Sequence, residues 1–339
     1  MNALQQTPDS PSLPAGITPG DAERIMSYAA ADLSEETRRI YALQWDAFTA
    51  WCADRGADPL PAGVETVAAY LSERAPERST SWITQAAAAI RKAHERAGLD
   101  SPTAKAGLRR TLKGIRRKHG RPAQPKKAAR TVDIRAMVGA IEQPEPEEGA
   151  GVAAQSAYVR SLRDRALLLV GYAAALRRSE LAAVRVADVA FNSEGMEISI
   201  ARSKSDQEGK GATVGVAYGE ALCPVRALRR WMDAAGIESG PIFRAVPPHG
   251  YIKRDSKATP VSGRTVRNVV QKAAEAAGLP ADEYAGHSLR RGHITEGAIN
   301  GAPLARLQMQ ARHADPRTTA GYIEAAERMK TTTSRDLGL

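Results

Sequence analysis

Cysteine is nearly absent: Cys52 and Cys223 are the two in 339 residues, so no disulfide framework holds this chain. Both fall in apolar helical patterns, as buried free thiols do. Aromatic residues are scarce at 5%, while alanine is abundant and apolar residues recur at intervals of three and four. That combination points to a mainly helical protein. No apolar run approaches the roughly 18 residues that a membrane span requires. The first twenty residues, MNALQQTPDSPSLPAGITPG, lack the basic-then-apolar order of a signal peptide and read as a disordered lead, 1–20. There is no internal repeat and no glycine-rich phosphate loop. His293 follows His287 by six residues with no acidic partner placed to help, so neither a metal nor another cofactor is expected. These absences leave a cytoplasmic protein without a membrane partner.

What the chain has in excess is positive charge. A formal net charge of +10 and a pI near 9.7 call for an anionic partner, nucleic acid ahead of an acidic membrane surface. From Lys105 to Arg130 there are eleven Lys or Arg and no Asp or Glu. A solvated helix face would account for part of this run, but one unbroken sign across a helix end favours contact with a nucleic-acid backbone. Within it, RPAQPKKAAR (121–130) carries two prolines, heavy charge and no large apolar side chain, the composition of a basic interdomain linker.

The linker separates a helical domain, 21–120, from a larger one, 131–339. Ser34 before Glu35 and Glu36 marks a helix start, and Tyr41, Trp45, Phe48 and Cys52 form an apolar stripe behind it. Further helices are predicted through Val64–Leu71, from Thr80 to a stop at Gly98, and over about 103–118, making a four- or five-helix bundle. In the second domain, helical patterns cover 133–142, 157–175, 179–188, 222–235, 262–277, 287–299, 303–311 and 315–329. MEISIARSK (196–204) alternates like a strand and ATVGVAYG (212–219) is its partner across a lysine-bearing turn. The fold class expected is mainly α, with a small antiparallel sheet making the C-terminal domain α+β.

Several short fragments carry chemistry. Arg177 in ALRRSEL has Glu180 three residues on, a spacing that lets the carboxylate fix the guanidinium. Lys204 sits after the first strand. His287 and Arg290, again three apart, share a helical face; His313 lies in ARHAD and Tyr322 in GYIEAAE. Each has a plain structural explanation by itself: an exposed ion pair, a solvated lysine, a capped helix start, a half-buried tyrosine. As a set they supply a hydroxyl nucleophile, two fixed cations, a proton donor and two imidazoles. Attack on a phosphodiester without metal needs that inventory: positive charge on the non-bridging oxygens, a proton for the leaving oxygen, and help in ionising the nucleophile. A phenol with a pKa near 10 is ionised only about one part in a thousand at pH 7, so activating one is worth ~4 kcal/mol. Arginine suits the clamp because its planar fork stays charged and binds two oxygens.

In order and spacing, Arg177 with Glu180, Lys204 after a strand, the His287/Arg290 pair, His313 and Tyr322 resemble the tyrosine site-specific recombinases, the phage integrase family. SEETRRIYALQWDAFTAWC, HERAGL and the basic IRRK are similar to the helical core-binding domain of the Cre-type members. The resemblance covers about 30–330 and implies a core DNA-binding domain followed by a catalytic domain. It implies that Tyr322 attacks the scissile phosphate to form a 3′-phosphotyrosyl link, Arg177 and Arg290 hold the phosphate oxygens, and Lys204 protonates the leaving oxygen. His287 then assists proton transfer from Tyr322, His313 bonds the phosphate, and Glu180 supports Arg177. Cre-type members carry tryptophan at the place of His313, where most of the family has histidine. The glycine that commonly precedes that histidine is Arg312 here, a departure that bears on the local turn.

The resemblance further implies a homotetramer on two double-stranded DNA sites built as inverted repeats, encoded by a bacterium, phage or plasmid. Residues 323–339 are amphipathic enough for a C-terminal helix docking on a neighbouring protomer. Candidate base readers are Arg38 and Arg39 near a helix start, Gln85 by analogy, and Arg264; phosphate positioning is the alternative for each. Arg116, Arg117 and Lys118 suit the DNA backbone. Two other functions use the same scaffold: a non-catalytic architectural DNA-binding protein, and a topoisomerase-like nicking and closing enzyme.

Overall fold

The computed structural model describes residues 18–30, 32–121, 125–142, 144–201, 211–247, 258–327 and 332–337. Its chain divides into two compact units, Met1–Ala123 and Gln124–Leu339. Most of the lead at 1–20, residues 122–124 of the linker and Lys204 lie outside the described residues.

Among the described residues, the first unit contains five α-helices: α1 Pro19–Ala30, α2 Glu35–Ala53, α3 Val64–Arg74, α4 Thr80–Arg96 and α5 Ala106–His119. Their starts follow local chemistry. Ser34 Oγ accepts the Thr37 N–H at 3.3 Å and Ser79 Oγ accepts the Trp82 N–H at 3.2 Å, satisfying donors the helix leaves open. Gly98, at φ 69°, ends α4 in the left-handed turn that glycine adopts without strain. Phe48 and Cys52 of the expected stripe are fully buried, Trp51 joins them, and Tyr41 and Trp45 are half-buried. They pack on Val67, Tyr70, Leu71, Ile83, Ile90, Leu108 and Ile115, with Phe48 and Trp51 rings 5.2 and 5.4 Å from Tyr70. The fourth predicted helix is interrupted: Pro102–Ala104 form a 3₁₀ turn and α5 begins at Ala106. On α5, Leu108 and Ile115 face the core while Arg109, Arg110, Lys113, Arg116, Arg117 and Lys118 are exposed.

The second unit is built around α7 (Val152–Ala173), whose residues Ala166–Gly171 are all buried, as befits a helix covered on every side. Around it lie α6 Thr131–Ala140, α8 Arg178–Ala183, α9 Pro224–Ala235, α10 Gly263–Ala276, α11 Gly286–Ile299, α12 Leu304–Ala311 and α13 Pro316–Glu327. Three antiparallel strands, β1 Val189–Phe191, β2 Gly195–Ile200 and β3 Ala212–Ala217, pair in the order β1-β2-β3. Ile198 opposes Val189 on one side and Val214 on the other. Met196, Ile198, Ile200, Val214 and Val216 are buried and the residues between them exposed or half-exposed, the alternation of a sheet covered on one face. Strand β1, three residues long, is too short for alternation to show in sequence.

The helix predicted over 179–188 stops at Ala183. The Val184 carbonyl accepts the Ile242 N–H at 2.8 Å, and the Val186 N–H donates to the Gly240 carbonyl at 2.9 Å. Pairing with that extended segment replaces the last helical turns. Helix α11, which bears two of the predicted site residues, is seated by Gly292: a Cβ there would overlap the Ala129 carbonyl. The Ala129 N–H bonds the Ser288 carbonyl at 3.0 Å beside it. At the C-terminal end α13 runs to Glu327, and a 3₁₀ turn spans Thr333–Asp336.

Candidate active site

The starts of α8 and α11, the turn after α12 and helix α13 bring the predicted residues other than Lys204 together. Arg177 caps the N-terminus of α8, and the Glu180 carboxylate accepts its backbone N–H at 2.8 Å and its Nη1 at 2.6 Å. This pair is not an exposed surface bridge: the Glu180 side chain is 2% exposed. Arg177 Nη2 also donates to the Arg312 carbonyl at 3.2 Å, tying α8 to the turn after α12. Arg290, on the first turn of α11, is 2% exposed and donates Nη1 to the Ala175 carbonyl at 2.7 Å and Nη2 to the Ala311 carbonyl.

His313 leads into α13. Its Nδ1 is 2.8 Å from the hydroxyl of fully buried Thr319, which fixes the ring. Tyr322, two turns along α13, lies with its ring stacked on His313, centroids 6.0 Å apart and planes 14° from parallel. Its hydroxyl is 3.5 Å from His287 Nε2, a separation that places proton acceptor and phenol within reach of each other. The guanidinium of Arg291 lies over the same ring, 5.7 Å from its centroid.

The electrostatics follow from burial and from the cations crowded here. Loss of water pushes Arg290 down to about 10, with Arg177 and Arg312 adding repulsion; it is still a cation at neutral pH. Burial and then Arg290, Arg291 and Arg177 push the His287 imidazole below its usual range. Burial and the neighbouring cations, Arg290 first, push His313 down to about 4. Both rings are therefore neutral at pH 7, able to accept a proton or a hydrogen bond. Burial alone would raise the Glu180 carboxyl, but the Arg177 N–H, the Arg312 charge and the Arg177 side chain outweigh it, so Glu180 is held below the usual range.

One consequence is a stability change with pH. An unfolded imidazole takes up its proton near pH 6.5, whereas folded His313 does so only near 4, so between these values unfolding binds protons. Stability should fall as pH falls from 6.5 to 4, and His313→Gln should remove part of that decline. Thermal melts at pH 7.5 and 5 check it; an unchanged difference between the two pH values in the variant would contradict the shift.

Sequence reasoning missed Arg312. It closes α12 in the left-handed conformation (φ 53°, ψ 49°) and its guanidinium donates to Glu180 Oε2 at 2.7 Å. Ala175 (φ 48°) is the other non-glycine residue with positive φ among those described. The two touch, because Arg312 Nη2 donates to the Ala175 carbonyl at 3.3 Å. Such conformations cost about 1–3 kcal/mol each and collect at functional sites. The only sequence signal was arginine in a place where glycine is common. Among the residues assigned to DNA, Arg38, Arg39, Gln85, Arg116, Arg117, Lys118 and Arg264 are all exposed. Arg39 pairs with Glu36 at 2.8 Å, a surface bridge that binding can exchange at little cost.

Two arginines grouped with a phenol against an imidazole, carried on this helical fold, are the groups that attack on a phosphodiester calls for. Residues 152–329 match the phage integrase family, to which this chain belongs; it is a tyrosine recombinase. It is 32% identical over 308 residues to the integrase/recombinase XerD homolog of Selenomonas ruminantium, covering 89% of this chain and 84% of that protein. It is 23% identical to the recombinase Cre of Escherichia phage P1, over 95% of this chain and 94% of that one. Among solved structures, a lambda integrase tetramer bound to a Holliday junction superposes with a TM-score of 0.57 at 13% identity, covering 89% of this chain and 75% of that one.

Proposed function

We propose that this recombinase cuts and rejoins DNA at specific sites through a 3′-phosphotyrosyl intermediate on Tyr322, acting as a tetramer on two sites. The Tyr322 oxygen attacks phosphorus while its proton passes to His287, and the bond to the 5′ oxygen breaks. That oxygen leaves as a 5′-hydroxyl, protonated by Lys204. Arg177 and Arg290 carry the charge that develops on the non-bridging oxygens, and His313 donates a hydrogen bond to a phosphate oxygen. The phosphotyrosine ester is close in energy to the diester it replaces, so a 5′-hydroxyl from a second duplex can reverse the step without ATP.

The observation that carries this reading is the approach of Tyr322 Oη to His287 Nε2, 3.5 Å, in a cluster with Arg290 of the same helix as His287 and Arg177 at the start of α8. The exposed basic face of α5 supplies sequence-independent attraction for the DNA backbone. A DNA-bound tetramer in the structural relative supports the assembly. The test is a plasmid carrying two copies of a target site selected by binding of the protein to random duplex DNA. Recombinant circles are the expected product. Relaxation of supercoils without recombinants would favour a nicking and closing enzyme, and binding with neither product would favour an architectural protein.

A further inference from the structure

We propose that Arg312 is a positioning residue for the phosphate clamp: it shares the Glu180 carboxylate with Arg177, so that Arg177 keeps positive charge for the DNA phosphate. This rests on reading Arg177 as a ligand of that phosphate. The Glu180 side chain is 2% exposed and lies between two guanidinium groups. Its Oε1 accepts from Arg177 Nη1 at 2.6 Å, and its Oε2 from Arg312 Nη2 at 2.7 Å. Were Arg177 its sole partner, a buried carboxylate in contact would cancel most of the charge that Arg177 offers. With Arg312 added, the pair becomes a cation–anion–cation triad with one net positive charge.

The backbone of Arg312 serves the same cluster. Its carbonyl accepts Arg177 Nη2 at 3.2 Å, and its N–H donates to the Met309 carbonyl at 3.1 Å, closing α12 just before His313. The side chain is 9% exposed, and its guanidinium reaches the Gln310 carbonyl at 2.9 Å as well as those of Ala174 and Ala175. Glycine would adopt φ 53° without strain but would bring no charge and no fork. The gain at this position is therefore the side chain, whose one anionic partner among these contacts is Glu180.

The experiment uses the full-length protein and a nicked duplex of the selected target site, with Arg312→Gly, Arg312→Lys, Glu180→Gln and Glu180→Gln/Arg312→Gly, all assayed well below their melting temperatures. Arg312→Gly should slow covalent-complex formation at saturating DNA about tenfold or more while moving the Kd less than about threefold. Arg312→Lys, which keeps the charge, should recover most of that rate. In the Glu180→Gln background, where no carboxylate needs sharing, adding Arg312→Gly should cost less than about twofold, the non-additivity of two residues acting together. A wild-type rate in Arg312→Gly, no recovery with lysine, or an equal penalty in both backgrounds would overturn the proposal. If the wild-type protein itself forms no covalent complex on this duplex, the reading of the clamp fails first, which distinguishes the two failures.

Discussion

Tyr322→Phe is expected to bind DNA as the wild-type protein does and to form no covalent protein–DNA complex. The substitution removes one oxygen, whose described contact is His287 Nε2 at 3.5 Å. The ring stays, so its stacking on His313 and its contact with Arg291 are kept, and α13 has no reason to move. What disappears is the atom proposed to form the bond to phosphorus. Losing the nucleophile of a covalent enzyme costs on the order of 10⁶ in rate, since the remaining groups only bind and polarise. A nicked duplex that traps the cleaved product, run on a denaturing gel, measures the effect. A DNA-linked band surviving in the variant would place the nucleophile elsewhere, and binding lost along with cleavage would give Tyr322 a structural part.

Long, periodic elements were legible before any coordinates. The stripe through Phe48 and Cys52, the cap at Ser34 and the alternation of β2 each express a local rule, and all three stand in the structure. Less legible was whatever depended on a distant segment. The end of α8 at Ala183 is decided by hydrogen bonds to 240–242, some sixty residues away, which no periodicity encodes. Of the site, the spacing of three predicted that Glu180 meets Arg177, but not that Arg177 would be the helix cap or that the carboxylate would be buried. Thr319, which orients His313, looks like any threonine on a helix. The left-handed turn at Ala175 is hidden as well, because alanine does not advertise positive φ. Arg312 stood out only as a departure from a pattern; its bond to Glu180 spans 132 residues and is a fact of tertiary structure.

Arg290→Gln should lose cleavage by roughly 10²–10³, the usual consequence of removing one donor that stabilises developing charge. The larger interest is in what it does to the fold. Arg290 is 2% exposed, and its pKa lies at about 10 against an ordinary 12.5. Each unit is worth 1.36 kcal/mol, so the folded protein carries roughly 3 kcal/mol of unfavourable charge at neutral pH. That strain is relieved only as pH rises through about 10, where the folded group gives up its proton before the unfolded one does. Against it stand charged hydrogen bonds to the Ala175 and Ala311 carbonyls, worth about 1.5–3 kcal/mol each, of which a glutamine amide can keep a part. The opposing terms are of similar size, so the free variant should melt within a few degrees of the wild type (roughly 2–4 °C per kcal/mol). A bound phosphate would add an anion beside the buried cation. Target DNA should therefore raise the melting temperature of the wild type more than that of the variant. Melts with and without duplex, beside the cleavage assay, separate the alternatives. A free variant melting far below the wild type would make Arg290 chiefly a structural strut between 175 and 311, and an equal gain from DNA in both proteins would remove it from the phosphate clamp.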